Sequence, residues 1–182
     1  MVTSGPGGAS ASGGALGSPR DVVLVVDAAN VVGSRPDGWW RDRAGAATRL
    51  LGRLPALVGA TLTAPDGAGV RVLRVDVVLE GKARDATDPG APGLVVHLAP
   101  HDGDAEVVVR ARAAGAHALV VTADRGLRAR LDGAPVAGPG WLLGVLDGPL
   151  RPSSGARTPG AGTATPPDRD VPPPPATPRP PP

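Results

Sequence analysis

Asp27, Asn30, Glu80, Asp104 and Asp124 stand where the sequence could do chemistry. Each carboxylate follows an apolar run, or the turn just after one. Carboxylates gathered in one place repel, and they cannot all stay ionised cheaply unless protons or cations compensate. A hard divalent cation, Mg2+ or Mn2+, suits carboxylate and water oxygens. Held in this way it can polarise a phosphoryl oxygen or activate a water. Asn30 would add a neutral oxygen, or an amide donor to a phosphate or a metal-bound water. Asp104 and Asp124 can also be read as helix caps. Glu80 is either a further ligand or a partner for Lys82 or Arg84 on the rim.

Positioning such a set requires a sheet whose strands end at one edge. Residues 21–26, including the run VVLVV, read as a strand buried on both faces, as in parallel sheets. A loop containing Gly33, Pro36 and Gly38 follows. Asp37 is placed to cap a helix over about 38–58, kinked or ended at Pro55. Strands are predicted at 70–79, with an irregular start, and at 94–98, 116–122 and 134–137. Helices are predicted from Asp102 or Asp104 to about 114, from Asp124 to about 131, and over the closing segment GPGWLLGVL. Strands alternating with helices imply an α/β three-layer sandwich around a mostly parallel sheet of four to five strands. Ligands of such sheets bind beyond the carboxyl ends of the strands, where these acids fall.

Composition narrows the rest. Residues 1–19 are rich in Gly, Ala, Ser and Pro, and 151–182 hold 12 of the 23 prolines. Neither can offset its ordering entropy by burial, so both are expected to be disordered around one domain at 20–150. The tail PPPPATPRPPP is either a spacer or a docking segment for a partner. The core is electrically neutral, with 15 basic and 15 acidic residues, so net charge gives no argument for nucleic acid. Cysteine is absent, which excludes disulfide partners and thiolate chemistry. No apolar run approaches the roughly 18–20 residues of a membrane span, so no membrane partner is expected and the cytoplasm is the default. There is no GxGxxG turn after the first strand, no Walker loop and no GxSxG.

Asn30 is the only asparagine and Lys82 the only lysine, so both invite a functional explanation. His101, Arg125 and Arg128 are candidates for phosphate contacts, as is Lys82; ordinary solvated charge is the alternative. Asp102 reads as a turn residue. His97 and His117 are placed within strands. Trp39, Trp40 and Trp141 are expected to pack, although one could stack a base.

The segments VLVVDAANVVG (23–33), PDGWWRDRAGAATRLL (36–51), VVLEGKAR (77–84), GDAEVV (103–108) and VVTADRGLRARL (120–131) resemble, in this order, the NYN family of PIN-like nucleases. The similarity is to its bacterial, YacP-like branch and to short actinobacterial members. It implies a PIN-like sheet, RNA as partner, and a metal-dependent ribonuclease site. In that site Asp27 is the first-strand carboxylate, with Asn30 after it. Asp104 opens the helix after the third strand, and Asp124 belongs to the (T/S)xD turn. Relatives often carry two adjacent acids where this chain has Asp104-Ala105-Glu106. The alternatives are a non-catalytic RNA- or protein-binding module, or a nucleotide pyrophosphohydrolase.

Overall fold

The structure is a computed structural model that describes residues 18–149. The segments expected to be disordered, 1–19 and 151–182, lie almost wholly outside the described residues, and the tail docking segment entirely so. Strand β1 (Arg20–Asp27) leads into α1 (Ala28–Gly33), then α2 (Arg43–Arg53), β2 (Thr61–Thr63), β3 (Gly69–Leu79) and β4 (Leu94–Leu98). Helix α3 (Gly103–Ala114), β5 (Ala118–Val121), α4 (Arg125–Ala129), β6 (Val136–Ala137) and α5 (Pro139–Asp147) complete the order.

The sheet runs β2-β3-β1-β5-β6, with β4 on β3 beside β2. Among the described residues only β2 is antiparallel. It is a short strand returning on the start of β3, and the apolar pattern did not announce it. Side chains alternate across a strand, and β1 uses both faces. Val22, Leu24 and Val26 join α1, α2 and α5 in one core cluster, while Val23 and Val25 join α3 and α4 in a second. Helices therefore cover both faces, in three layers as expected.

The irregular start of β3 is a bulge. Val22 pairs with Val72 but Val23 pairs with Arg74, leaving Leu73 over and exposed. The extra residue resets the alternation. Val70 and Val72 before it, and Val75, Val77 and Leu79 after it, all face the first cluster.

Three local expectations are corrected. The segment after Asp27 is a short helix rather than a loop, because the Asp27 carboxylate accepts the Asn30 N–H and closes a first turn. The long helix starts at Arg43, not near Gly38. Asp37 takes the Trp39 N–H in a tight turn, and Asp42 caps α2 through the Gly45 N–H at 2.8 Å. Gly45 permits that approach, since a Cβ there would lie 1.9 Å from Asp42 Oδ2. His117 lies in a 3-10 turn before β5, not in the strand, with Nδ1 2.9 Å from the Asp21 carbonyl. Among the described residues no helix is long and apolar enough to cross a membrane.

Candidate functional site

Parallel strands β1, β3 and β5 end at the same edge. Val26 lies opposite Val121 and Asp27 opposite Val78, so Thr122, just past the end of β5, and Glu80, two residues beyond Val78 and just past the end of β3, emerge at the same edge as Asp27. Asp27 is only 9% exposed. A buried charge needs partners, and two donors supply them. The Asn30 N–H reaches Oδ1 at 3.0 Å, and the Thr122 hydroxyl reaches Oδ2 at 2.9 Å. Thr122, fully buried, also accepts the Asp124 N–H at 3.1 Å. One hydroxyl, 95 residues along the chain from Asp27, thus ties the first acid to the last.

Asn30 Oδ1 accepts the Ala123 N–H at 2.7 Å. That occupies its oxygen and leaves its amide as a donor. Of the two roles the sequence left open for Asn30, the geometry favours donation. Asp124 caps α4 through the Leu127 N–H at 2.8 Å. Asp102, beyond a turn role, caps α3 through the Ala105 N–H. Asp104, two residues on, is therefore released from capping. Glu80 pairs with neither Lys82 nor Arg84 among the described residues; it accepts the Gly103 N–H at 3.0 Å, at the start of α3. A Cβ on Gly103 would sit 2.5 Å from Glu80 Oε2, so glycine there makes the contact possible.

These groups converge. Asp27, Asn30, Glu80, Asp104 and Asp124 line one open cleft of about 390 Å3, with Gly33 and Ser34 on its wall. Burial pushes the Asp27 carboxyl above its ordinary pKa, against its two hydrogen bonds, and the charges of Asp104 and Glu80 add to the push. Burial also raises Asp104, with Asp124, Asp102 and Glu80 reinforcing it and Arg130 opposing it. The carboxylates ring the cleft rather than meeting at a point. Among the described residues no three His, Asp or Glu side chains are set closely enough to hold a metal ion as they stand.

The proposed phosphate contacts fall elsewhere. None of His101, Lys82, Arg125 and Arg128 lines the cleft. All four are exposed, and Lys82 borders a separate depression with Arg84 and Asp85. Sequence reasoning passed over Arg130, whose guanidinium lies 3.8 Å from Asp104 and 3.9 Å from Asp102. It comes from beyond the end of α4, and only the packing of α4 beside the start of α3 reveals it. A further buried acid, Asp76, is 2% exposed, held by Arg74 through two hydrogen bonds and near His97. It belongs to the sheet interior.

This fold has a solved counterpart. The crystal structure of a single-substitution mutant of Rae1 (YacP) from Bacillus subtilis superposes with a TM-score of 0.51, covering 69% of this chain and 74% of that one. Identity over the match is 18%, so the likeness concerns the fold alone. At that level it bears out the expected α/β sandwich around a mostly parallel sheet. No protein-family model and no curated protein matches the chain by sequence.

Proposed function

We propose that the cleft is the active site of a divalent-metal-dependent phosphodiesterase acting on RNA, in a chain of the NYN, YacP-like kind. The observation that carries the reading is the ring of four carboxylates around one cleft. Among the described residues only Asp104 of the four has an ion-pair partner, Arg130. The donor set is hard oxygen throughout, which fits Mg2+ or Mn2+. Asp27, Asp104 and Asp124 would hold the ion, with Glu80 as a further ligand. When bound, such an ion polarises a phosphoryl oxygen and makes a water a better nucleophile.

The chain's own residues prepare the ground. Thr122 and the Asn30 N–H fix the Asp27 carboxylate while leaving each oxygen further lone pairs. The Asn30 amide is a donor for a phosphate oxygen or a water. Glu80 is held at its height by the Gly103 N–H. With Asp27 and Asp104 both raised, ionising the whole ring calls for added positive charge.

The test is cleavage of single-stranded RNA with and without Mn2+, in wild type and Asp27→Asn. Wild type should cut only with metal. The variant should lose more than the roughly 10–100-fold typical of changes behind the ligands. Equal cleavage by both proteins removes the proposal. Arg130 favours one rival, an RNA-binding module in which its guanidinium stands in for the cation. Tight RNA binding without turnover under any divalent metal identifies that rival.

A further inference from the structure

A second, smaller pocket adjoins the carboxylate cleft. Trp39, Arg43, Glu80 and Gly81 line it together with the apolar side chains of Val32 and Ala47. Ala29 and Glu80 line both spaces. Gly33, on the wall of the cleft, lies against the Trp39 ring, since a Cβ there would be 3.6 Å from Trp39 Cζ2. At about 140 Å3 the pocket is well below the roughly 300–1,000 Å3 of a drug-sized ligand site. That is the scale of one ring system.

Trp39 is not spent on the core. Neither Trp39 nor Trp40 belongs to the two core clusters or packs against them, whereas Trp141 does. The half-buried Trp39 ring is instead braced from outside. Trp40 meets it edge-on, with centroids 6.3 Å apart and planes at 83°. The Arg43 guanidinium sits 5.4 Å from its centroid. A braced indole, a flat cation beside it and an apolar lining favour a flat, π-rich ligand.

We infer that this pocket is a nucleobase subsite, taking one base of an RNA strand whose phosphate lies among the carboxylates. The inference rests on the phosphodiesterase reading and narrows it. Because the two spaces share walls, base and phosphate belong to the same or adjoining nucleotides. A base reaches the pocket only if it leaves its own stack and pair. The substrate is therefore single-stranded RNA or an unpaired loop, and a continuous duplex is excluded.

The full-length chain is titrated with a short single-stranded oligoribonucleotide in Ca2+, with electrophoresis confirming that the strand stays intact. Tryptophan fluorescence should be quenched. A duplex of equal length should bind distinctly more weakly. Trp39→Leu should weaken single-strand binding on the order of 10-fold, and Trp39→Phe should restore most of it. Absence of quenching at any concentration overturns the subsite, as does a folded Trp39→Leu variant that binds like wild type. Should Trp39→Leu not fold, wild type is compared on ordinary and abasic strands, and equal binding of the two rejects the subsite. Cleavage in Mn2+ reads the carboxylates separately. Cutting without stacking defeats only the subsite, and stacking without cutting defeats only the nuclease.

Discussion

Asp27 serves two ends that oppose one another: it closes the first turn of α1, and it brings a charge into a cleft that already holds three. Burial raises its folded pKa, so the folded form keeps that proton longer than the unfolded chain does. Stability therefore falls as pH rises from the ordinary carboxylate range through the folded pKa, and the penalty is complete above it. Asp27→Asn keeps an acceptor for the Asn30 N–H and drops the charge. It should melt higher than wild type at neutral pH in the absence of divalent metal. The gap should close in acid, where wild-type Asp27 is also uncharged; melts across that range check the sign. Thr122 supplies the second prediction. Thr122→Val leaves Asp27 Oδ2 and the Asp124 N–H without their hydroxyl, at a cost of about 1–3 kcal/mol in denaturant unfolding, which Thr122→Ser largely avoids. Gly103→Ala supplies the third. Its Cβ displaces the Glu80 carboxylate, so divalent affinity should drop about 10-fold or more by titration. The placement of Asp27, Asn30, Glu80, Asp104 and Asp124 at one edge was legible, because parallel strands deliver their ends together. The Thr122 relay, the Gly103 seat and Arg130 were not, since each is a contact between elements that no spacing encodes.

Helix α3 separates two jobs that its opening sequence, HDGDAE, runs together. Asp102 caps the helix, and Asp104, two residues later, lines the cleft. Asp102→Ala should cost about 1 kcal/mol of stability and leave catalysis nearly intact. Asp104→Asn should leave the unfolding midpoint near wild type or above it, and impair metal-dependent cleavage. Swapped outcomes in paired melts and rate assays would reverse the assignment. The same distinction explains what was readable at this scale. Strands β1, β3 and β4 showed themselves as Val/Leu runs because they are covered on both faces or lie against a core face. Helix α1 did not, since AANVVG is too short for a helical period to emerge and exists by virtue of its cap. Strand β2, of three residues, depends on β3 for its pairing. The start of α2 went astray because two aspartates, Asp37 and Asp42, offer similar capping chemistry; the Gly45 hydrogen bond decides between them.

At the scale of the whole molecule, two apolar clusters pack the two faces of the sheet while its edge carries a self-repelling ring. Divalent metal should act on that balance from one side. An ion that binds the folded ring and not the unfolded chain stabilises by mass action, by about 2.7 kcal/mol at a hundred times its Kd. Mn2+ or Mg2+ should therefore raise the Tm of wild type at neutral pH in a concentration-dependent way. The rise should shrink as pH falls, because Asp27 and Asp104, both raised, take up protons that compete with the ion. It should be far smaller in Asp27→Asn, whose ring is less negative and lacks one ligand. This readout needs no substrate and no turnover, so it bears on the catalytic and the binding-only readings differently. A module in which Arg130 has replaced the cation gains little from metal, and its Asp104 is already compensated. A large, pH-dependent, Asp27-dependent shift is what a working metal site produces. A shift equal in wild type and Asp27→Asn would place the bound ion elsewhere on the chain.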